Sequence, residues 1–163
     1  MPGQPRTTPL PLTPAQVRVL GKIAEGKTTA ETAHELIVTS GTVSAQLAAI
    51  SRKLGVSGRA ALVHAAYLTK QLPRPQLETF DREFSEAEVQ IWRLIASGAS
   101  VRQVADTCRF PRGTAGERIA LLRRRVDAII DPHLTTLGWR YGVIDASLVD
   151  MASGTIIAAP LCG

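Results

Sequence analysis

An internal repeat with an offset of 72 residues constrains this 163-residue chain more than any other feature. One segment, LTPAQVRVLGKIAEGKTTAETAHELIVTSGTVSAQLAAISRKL, begins at Leu12, and a second, FSEAEVQIWRLIASGASVRQVADTCRFPRGTAGERIALLRRRV, begins at Phe84. The two segments align without a gap, and both carry a glycine at the same place, Gly26 and Gly98. Such a repeat indicates two copies of one supersecondary unit. The alternative is a generic helical bundle whose internal similarity is accidental.

Signals for the start and end of helices recur in both segments. A Ser or Thr followed three residues later by Glu or Gln is a capping box, which satisfies free backbone N–H groups at a helix start. Four are predicted: Thr13 with Gln16, Thr28 with Glu31, Ser85 with Glu88 and Ser100 with Gln103. Gly26 and Gly98 fall where a helix end requires a positive φ. Each copy therefore begins with two short helices.

A longer third helix follows in each copy, with apolar residues at i, i+4, i+7 and i+11 on one face. These residues are Val43, Leu47, Ile50 and Leu54 in the first copy and Ala115, Ile119, Leu122 and Val126 in the second. A fourth helix is predicted from Gly58 to Gln71, with Ser57 as its cap and Leu62, Val63, Ala66 and Tyr67 as its apolar face. In the second copy the segment HLTTLGW is predicted to form a short fourth helix.

The predicted fold class is mainly α, with two tandem tetrahelical units and a small C-terminal β-hairpin. Residues 1–11 form a flexible, Pro-rich arm, residues 12–72 the first unit and residues 84–138 the second. A linker, residues 73–83, joins the units. Residues 139–163 are predicted to be the hairpin tail, because YGVIDASLVDMASGTIIAAP places a Ser-Gly turn between apolar runs.

Two helices followed by a longer one is the geometry that places a recognition helix in the major groove of DNA. The segments LTPAQVRVL, IAEGKTTAETAHEL and SGTVSAQLAAISRKLGVSGRAALV closely resemble the LuxR-type (GerE-like) helix-turn-helix DNA-binding domain. The resemblance covers residues 12–68, and KLGVSGRAALV is its most specific part. It implies a bacterial four-helix unit that binds double-stranded DNA and whose last helix often dimerises. The second copy resembles this family only weakly.

Candidate DNA contacts in the first copy fall into two groups. Hydroxyls at helix starts and cations at helix ends suit phosphate oxygens, and these are Thr28, Thr29, Thr42, Arg52, Lys53 and Arg59. The resemblance implies that Ser44, Ala45 and Ala48 meet base edges, and Gln46 is a further candidate. Ser44 stands where the family usually has Lys, Gln46 where it has His, and Gln16 where it has Glu. Direct base readout is therefore expected to be modest.

The third helix of the second copy has the opposite character. It carries a set of cations that suit phosphates, namely Arg112, Arg118, Arg123, Arg124 and Arg125. However, Gly113 and Gly116 weaken its first turns, and Pro111 replaces the capping Thr39 of the first copy. The alternative is that these arginines form a solvated face or pair with Glu83, Glu86 and Glu88.

Several classes of protein are excluded by composition and spacing. The two cysteines form no disulfide framework, and the three histidines have no metal-ligand spacing, so no metal or cofactor is expected. We find no catalytic constellation, and therefore expect no enzyme. No apolar run of about 18 residues suits a membrane span, and the N-terminus lacks a signal-peptide core, which favours the cytoplasm.

The sequence predicts a transcriptional regulator that binds double-stranded DNA sequence-specifically and has no attached sensor domain. Two assemblies remain open, because the fused copies could act as a pseudo-dimer on one asymmetric site or the chain could form a homodimer through either copy. The rival interpretation is a protein-interaction module whose degenerate units bind RNA polymerase, a sigma factor or another regulator. The net charge of +5 suits DNA, although many proteins that bind no DNA are equally basic.

Overall fold

The computed structural model describes residues 10–148. This part of the chain forms eight α-helices, α1 (Pro14–Ala24), α2 (Thr29–Leu36), α3 (Ser40–Leu54), α4 (Arg59–Leu68), α5 (Glu86–Ala96), α6 (Val101–Cys108), α7 (Thr114–Arg125) and α8 (Asp131–Arg140). Helices α5, α6 and α8 begin and end 72 residues after α1, α2 and α4. Only α7 departs from this offset, because it begins two residues later than the start of α3 predicts and ends one residue earlier.

All four predicted capping boxes are formed. In the first of them, the backbone N–H of Gln16 donates to Thr13 Oγ1 over 3.2 Å, and the backbone N–H of Thr13 donates to Gln16 Oε1 over 3.0 Å. The glycine ends are confirmed as well, with φ of 97° at Gly26 and 89° at Gly98. Local chemistry therefore determines where the short helices of both segments begin and end.

The start of α4 differs from the prediction. Gly58, with φ of 90°, occupies the N-cap position, and no side chain caps the helix. Ser57 is therefore not the cap, because the helix begins one residue later than a cap at Ser57 would require. The helix also ends at Leu68, where Thr69 takes the C-cap position, rather than continuing to Gln71.

The turn between α2 and α3 places a β-branched residue in the left-handed region. Ile37 has φ of 57° and ψ of 48°, and the Val38 N–H donates to the carbonyl of Ala33 over 3.0 Å. The Ile37 residue is 91% exposed, so its side chain gains little from burial. The left-handed conformation costs a non-glycine residue roughly 1–2 kcal/mol, because Cβ approaches the following carbonyl.

We expect Ile37→Gly to raise the free energy of unfolding by about 1 kcal/mol, since glycine adopts a positive φ without steric cost. The gain is smaller than the strain it relieves, because glycine also makes the unfolded chain more flexible. Chemical denaturation followed by circular dichroism measures the change. Ile37→Val is the matched control, because it keeps a β-branched side chain and is expected to give no gain. Equal stability of the two variants would contradict this account.

Helix α4 lies at the centre of the molecule. Every residue from Ala60 to Tyr67 is buried, and the helix packs against α1, α3, α5 and α8. The predicted apolar face is therefore correct, but it is one side of a helix that is apolar almost all round. A helix of this kind requires packing neighbours on every side. Helices α1 and α3 cover part of α4, and α5 and α8 cover the rest.

Two hydrogen bonds connect α4 and α8 inside this core. Trp139 Nε1 donates to His64 Nδ1 over 2.9 Å, and Tyr67 Oη lies 3.1 Å from Thr136 Oγ1. Because the indole N–H can only donate, Nδ1 of His64 must be unprotonated, and the proton on Nε2 is donated to the carbonyl of Leu148 over 2.6 Å. The neutral His64 ring is thus held between two partners.

Burial lowers the pKa of His64, although the Leu148 carbonyl and the Asp145 carboxylate act to raise it. Burial also lowers the pKa of His133. Because the folded-state pKa lies below the unfolded value, the unfolded chain binds more protons, and stability falls as the pH drops below about 6.5. We expect the free energy of unfolding to be constant above about pH 7 and to decrease between about pH 6.5 and 5.

Denaturant titrations across that pH range measure this dependence. We expect His64→Gln to be less stable at pH 7.5, because it disrupts a buried network, but to show a flatter pH profile. His133→Gln removes a histidine that is only half-buried and serves as the comparison. An unchanged slope in His64→Gln would contradict the assignment. Carboxylates with lowered pKa values, such as Glu35 and Asp145, act in a more acidic range and do not obscure this window.

The predicted C-terminal hairpin is wrong for the part of it that the structure describes. Trp139 and Arg140 are the last residues of α8, and residues 141–148 form turns without a strand. The amides of Val143 and Ile144 both donate to the carbonyl of Gly138, over 2.9 and 3.0 Å. The apolar residues of this segment close the end of α8 instead of pairing as strands. The rest of the predicted hairpin, residues 149–163, lies outside the described residues, as do residues 1–9 of the predicted arm.

Candidate nucleic-acid interface

Helix α3 presents a polar and small-residue face to solvent. Its core residues Val43, Leu47, Ile50 and Leu54 are all buried, as the spacing predicts. The opposite face is therefore open, and Ser44, Ala45 and Ala48 are exposed there while Gln46 is half-buried. Small side chains on this face allow a partner to approach the helix backbone closely.

The start of α3 carries two threonine hydroxyls. The Thr42 N–H donates to Thr39 Oγ1 over 3.1 Å, and the two hydroxyl oxygens lie 2.9 Å apart. Both residues are exposed, and the first turn of α3 contains no acidic residue. The positive end of the helix dipole is thus uncompensated by a carboxylate in its own first turn, which favours an anion at this position.

Two further predicted residues meet at the start of α2. Arg59 Nη2, at the beginning of α4, donates to Thr29 Oγ1 over 2.7 Å, and Thr28 caps α2 from an exposed position. One carboxylate also lies here, because Glu31 closes the capping box with the Thr28 N–H over 3.2 Å. The hydrogen bond from the Thr28 backbone, followed by that from its hydroxyl, lowers the pKa of Glu31. Glu31 therefore remains ionised beside this group of residues.

The cations at the end of α3 have different surroundings. Arg52 is exposed, and its guanidinium forms no hydrogen bond or ion pair with another described residue. Lys53 Nζ donates to Gln16 Oε1 over 2.8 Å and to the Pro11 carbonyl over 3.2 Å. Both acceptors are neutral, so the positive charge of Lys53 is not cancelled.

Other cations of the first unit form ion pairs with nearby carboxylates. Lys22 Nζ lies 3.1 Å from Glu35 Oε2 and 3.8 Å from Glu25 Oε2, while Lys27 Nζ lies 3.2 Å from Glu35 Oε1. Sequence spacing indicates only the Lys22–Glu25 pair, which has i,i+3 separation. The pairs with Glu35 connect α2 to the end of α1, so the charges of Lys22 and Lys27 are balanced there.

The five predicted arginines around α7 separate into two groups. Arg125 forms an ion pair with Glu88 and donates to the carbonyl of Glu83 over 2.7 Å, which is the alternative that the sequence leaves open. Arg123 lies 3.5 Å from Asp131 Oδ1, and Arg118 stacks over Phe110. Arg112 and Arg124 are exposed, and their guanidinium groups have no polar partner among residues 10–148.

The Arg125–Glu88 pair is part of the fold of residues 80–125. Burial acts to raise the pKa of Glu88, but hydrogen bonds from Ser85 and Arg125 outweigh it and hold this pKa below its usual value. The Arg125 guanidinium also lies 5.0 Å from the centre of the Phe84 ring. A phosphate could bind the Arg125 guanidinium only by displacing these partners.

Helix α7 packs less closely within its unit than α3 does. Helix α3 contacts α1, α2 and α4, whereas α7 packs mainly against α6. A groove of about 320 Å³ lies between α5 and α7, where Leu121 is 57% exposed. The N-cap of α7 is Gly113, with φ of 84° and no capping side chain. Pro111 thus leaves this helix without the cap that Thr39 provides to α3.

Other kinds of site find no support in the described part of the chain. Residues 10–148 contain no group of three or more His, Cys, Asp or Glu side chains that could hold a metal ion. None of the eight helices is both long and apolar enough to cross a membrane. Cys108 is buried in the core.

Comparison with known proteins identifies the first unit. Neither a curated protein nor a solved structure matches the chain. Residues 10–66 match the family described as "Bacterial regulatory proteins, luxR family" (GerE). This span contains α1, α2, α3 and most of α4, and it confirms the resemblance found for residues 12–68. Residues 10–66 are therefore a helix-turn-helix domain of the luxR family, a family of DNA-binding regulators.

Proposed function

We propose that this protein is a transcriptional regulator that binds double-stranded DNA sequence-specifically, with α3 in the major groove. The observation that carries the proposal is the exposed face of α3, which has no acidic residue and lies in a luxR-family domain. Cations occur at the end of α3 and at the start of α4. Binding to chromosomal DNA would place the protein in the cytoplasm.

Base readout is assigned to the exposed face of α3. Ser44 and Gln46 can each donate or accept a hydrogen bond, while Ala45 and Ala48 offer methyl groups to thymine. None of these side chains forms the bidentate contact that arginine makes to guanine. The expected specificity is therefore moderate, with a contribution from the shape of the groove.

Phosphate contacts are assigned to the residues that flank this face. They are Thr28, Thr29 and Thr42 at helix starts, and Arg52, Lys53 and Arg59. The Thr29 hydroxyl orients Arg59, and the Gln16 amide orients Lys53. Orientation before binding reduces the side-chain entropy that each contact costs.

The proposal predicts a specific response to removal of single cations. We expect Arg52→Ala and Arg59→Ala each to weaken binding by about 5- to 10-fold on every sequence and to reduce the slope of log affinity against log salt by about 1. Selection of bound duplexes from a random pool supplies the DNA, and fluorescence anisotropy at several salt concentrations gives the slopes.

Lys22→Ala is the matched control, because the Lys22 ammonium already pairs with Glu35 and Glu25. We expect its affinity and salt slope to equal those of the unchanged protein. Failure to select any duplex would exclude the proposed function. Equal losses in Lys22→Ala and Arg52→Ala would show that net charge, rather than the α3 surface, determines binding.

A second candidate function rests on the groove between α5 and α7. This groove and the exposed Leu121 suit an apolar side chain of another protein, such as RNA polymerase, a sigma factor or another regulator. In that case Arg112→Ala and Arg124→Ala would leave DNA affinity unchanged, whereas Leu121→Glu would abolish the protein contact. Losses of DNA affinity in the arginine variants would favour DNA instead.

A further inference from the structure

The two hydrogen bonds between α4 and α8 are related by the 72-residue offset. Moving Tyr67 forward by 72 residues gives Trp139, and moving Thr136 back by 72 gives His64. The Tyr67–Thr136 bond joins a position of the first unit to a position of the second. The Trp139–His64 bond joins the same two positions with the units exchanged. Different chemical groups form the two bonds, but the positions correspond.

Two close backbone approaches show the same exchange. A Cβ atom added to Gly26 would lie 3.2 Å from His133 Nδ1 and 3.3 Å from Ile129 Cδ1. A Cβ atom added to Gly98 would lie 3.2 Å from Ala61 Cβ and 3.1 Å from the Ser57 carbonyl oxygen. The offset relates Gly26 to Gly98, His133 to Ala61 and Ile129 to Ser57.

This exchange identifies the symmetry of the contact. In a stacked repeat, one face of the first unit meets a different face of the second, and the reciprocal contacts are absent. In a twofold arrangement the contacts are reciprocal. If residue i of the first unit contacts the counterpart of residue j in the second unit, then residue j of the first unit contacts the counterpart of residue i. The hydrogen bonds and the glycine contacts all obey the second rule, as do the paired contacts of α1 with α8 and of α4 with α5.

The twofold contact with α5 and α8 covers the part of α4 that α1 and α3 leave open. Ala61, Val63, His64 and Ala66 are each no more than 1% exposed. Helix α4 therefore has no face left on which a second copy of the chain could dock. Helices α5 and α8 of the same chain already occupy the position that a partner subunit would take.

A twofold axis between two helix-turn-helix units presents their third helices to two half-sites in inverted orientation. In this chain those helices are α3 and α7, which differ in chemistry. Helix α3 has an open face for bases, whereas α7 lacks a capping side chain. Arg112, in the turn before α7, and Arg124, on α7, are both exposed. We propose, on the basis of the proposed function, that one chain is a covalent pseudo-dimer that reads one half-site with α3 and holds the phosphates of the adjacent duplex with α7.

The length of the duplex tests this proposal without altering the protein. Starting from a selected DNA, the half-site read by α3 is kept, and about 10 base pairs, one helical turn, are removed from either side in turn. We expect one truncation to weaken binding by at least 10-fold and the other to have little effect. Scrambling the sequence of the sensitive flank, without shortening it, is expected to change affinity by less than 3-fold. Sedimentation of the complex is expected to show one chain per duplex.

The double substitution of Arg112 and Arg124 to Ala provides the second readout. We expect it to remove the dependence on the flank while leaving the preferred sequence unchanged, and Lys22→Ala to retain that dependence. Two chains per duplex, or equal tolerance of both truncations, would overturn the pseudo-dimer and leave the DNA-binding function standing. Failure to bind every duplex would overturn the proposed function and this proposal together.

Discussion

Gly138→Ala is expected to lower the free energy of unfolding by about 2–3 kcal/mol, while Gly21→Ala, the same change in another helix, is expected to raise it. A Cβ atom on Gly138 would lie 2.5 Å from Ile144 Cδ1 and 2.6 Å from Trp92 Nε1. Ile144 can shift the end of its side chain, but the Trp92 ring is fully buried and its Nε1 donates to the Leu134 carbonyl over 2.6 Å. The ring cannot move without breaking that bond or opening space elsewhere.

Gly21 is the matched control for this substitution. It lies inside α1, and a Cβ atom there would meet nothing within 4 Å. Alanine is favoured over glycine in a helix interior by about 1 kcal/mol, so Gly21→Ala should be the more stable protein. For a chain of this size the two variants should differ in Tm by roughly 10 °C, which calorimetry resolves readily. A Gly138→Ala variant that melts at or above the Tm of Gly21→Ala would contradict the packing described around Trp92.

Local signals in the sequence account for the helix boundaries. Capping boxes and left-handed glycines act between residues three to six positions apart, so the sequence alone predicts them, and the structure forms all four boxes. The hairpin prediction failed for residues 139–148 because apolar residues in such a segment suit a strand and also suit a segment that covers a helix end. Which of these occurs depends on Ile144 and Leu148, which are buried in the core around α8.

The helices that pack against α4 could not be predicted from the sequence either. Its residues are apolar on nearly every side, which predicts burial but does not identify the neighbours. His64 and Trp139 are 75 residues apart, and no pattern within either segment joins them. The repeat predicts two similar units, but a stacked and a twofold arrangement share the same sequence offset, and only the contacts distinguish them.

The candidate DNA surface was predictable only in outline. Helical periodicity separates the buried residues of α3 from its exposed face, and the structure agrees with that separation. Periodicity does not show which cations are already engaged. Lys53 and Arg125 each bind side chains 37 residues away, and such partners become visible only when the helices are assembled.

A carboxylate on the exposed face of α3 should have the largest effect on DNA binding. We expect Ala48→Glu to weaken binding by at least 100-fold, about 2.8 kcal/mol, because the new charge would enter a groove lined by phosphates. Ala48 is exposed, and Glu is a good helix former, so circular dichroism and thermal unfolding should match those of the unchanged protein. Ala48→Gln has nearly the same size without the charge and should lose far less affinity.

Thr107→Glu is the control for an added negative charge at a distance from α3. Thr107 is exposed on α6, at the position that corresponds to Glu35 of α2, so a carboxylate is tolerated at the equivalent place in the first unit. We expect this variant to bind DNA within 3-fold of the unchanged protein, because the added carboxylate lies on α6 and not on α3. The overall charge changes equally in both variants, so the comparison isolates the position of the charge. If Ala48→Glu and Thr107→Glu lost the same affinity, α3 would not be the helix in the groove. A folded Ala48→Glu protein with normal affinity would lead to the same conclusion, and a different surface would then have to read the DNA.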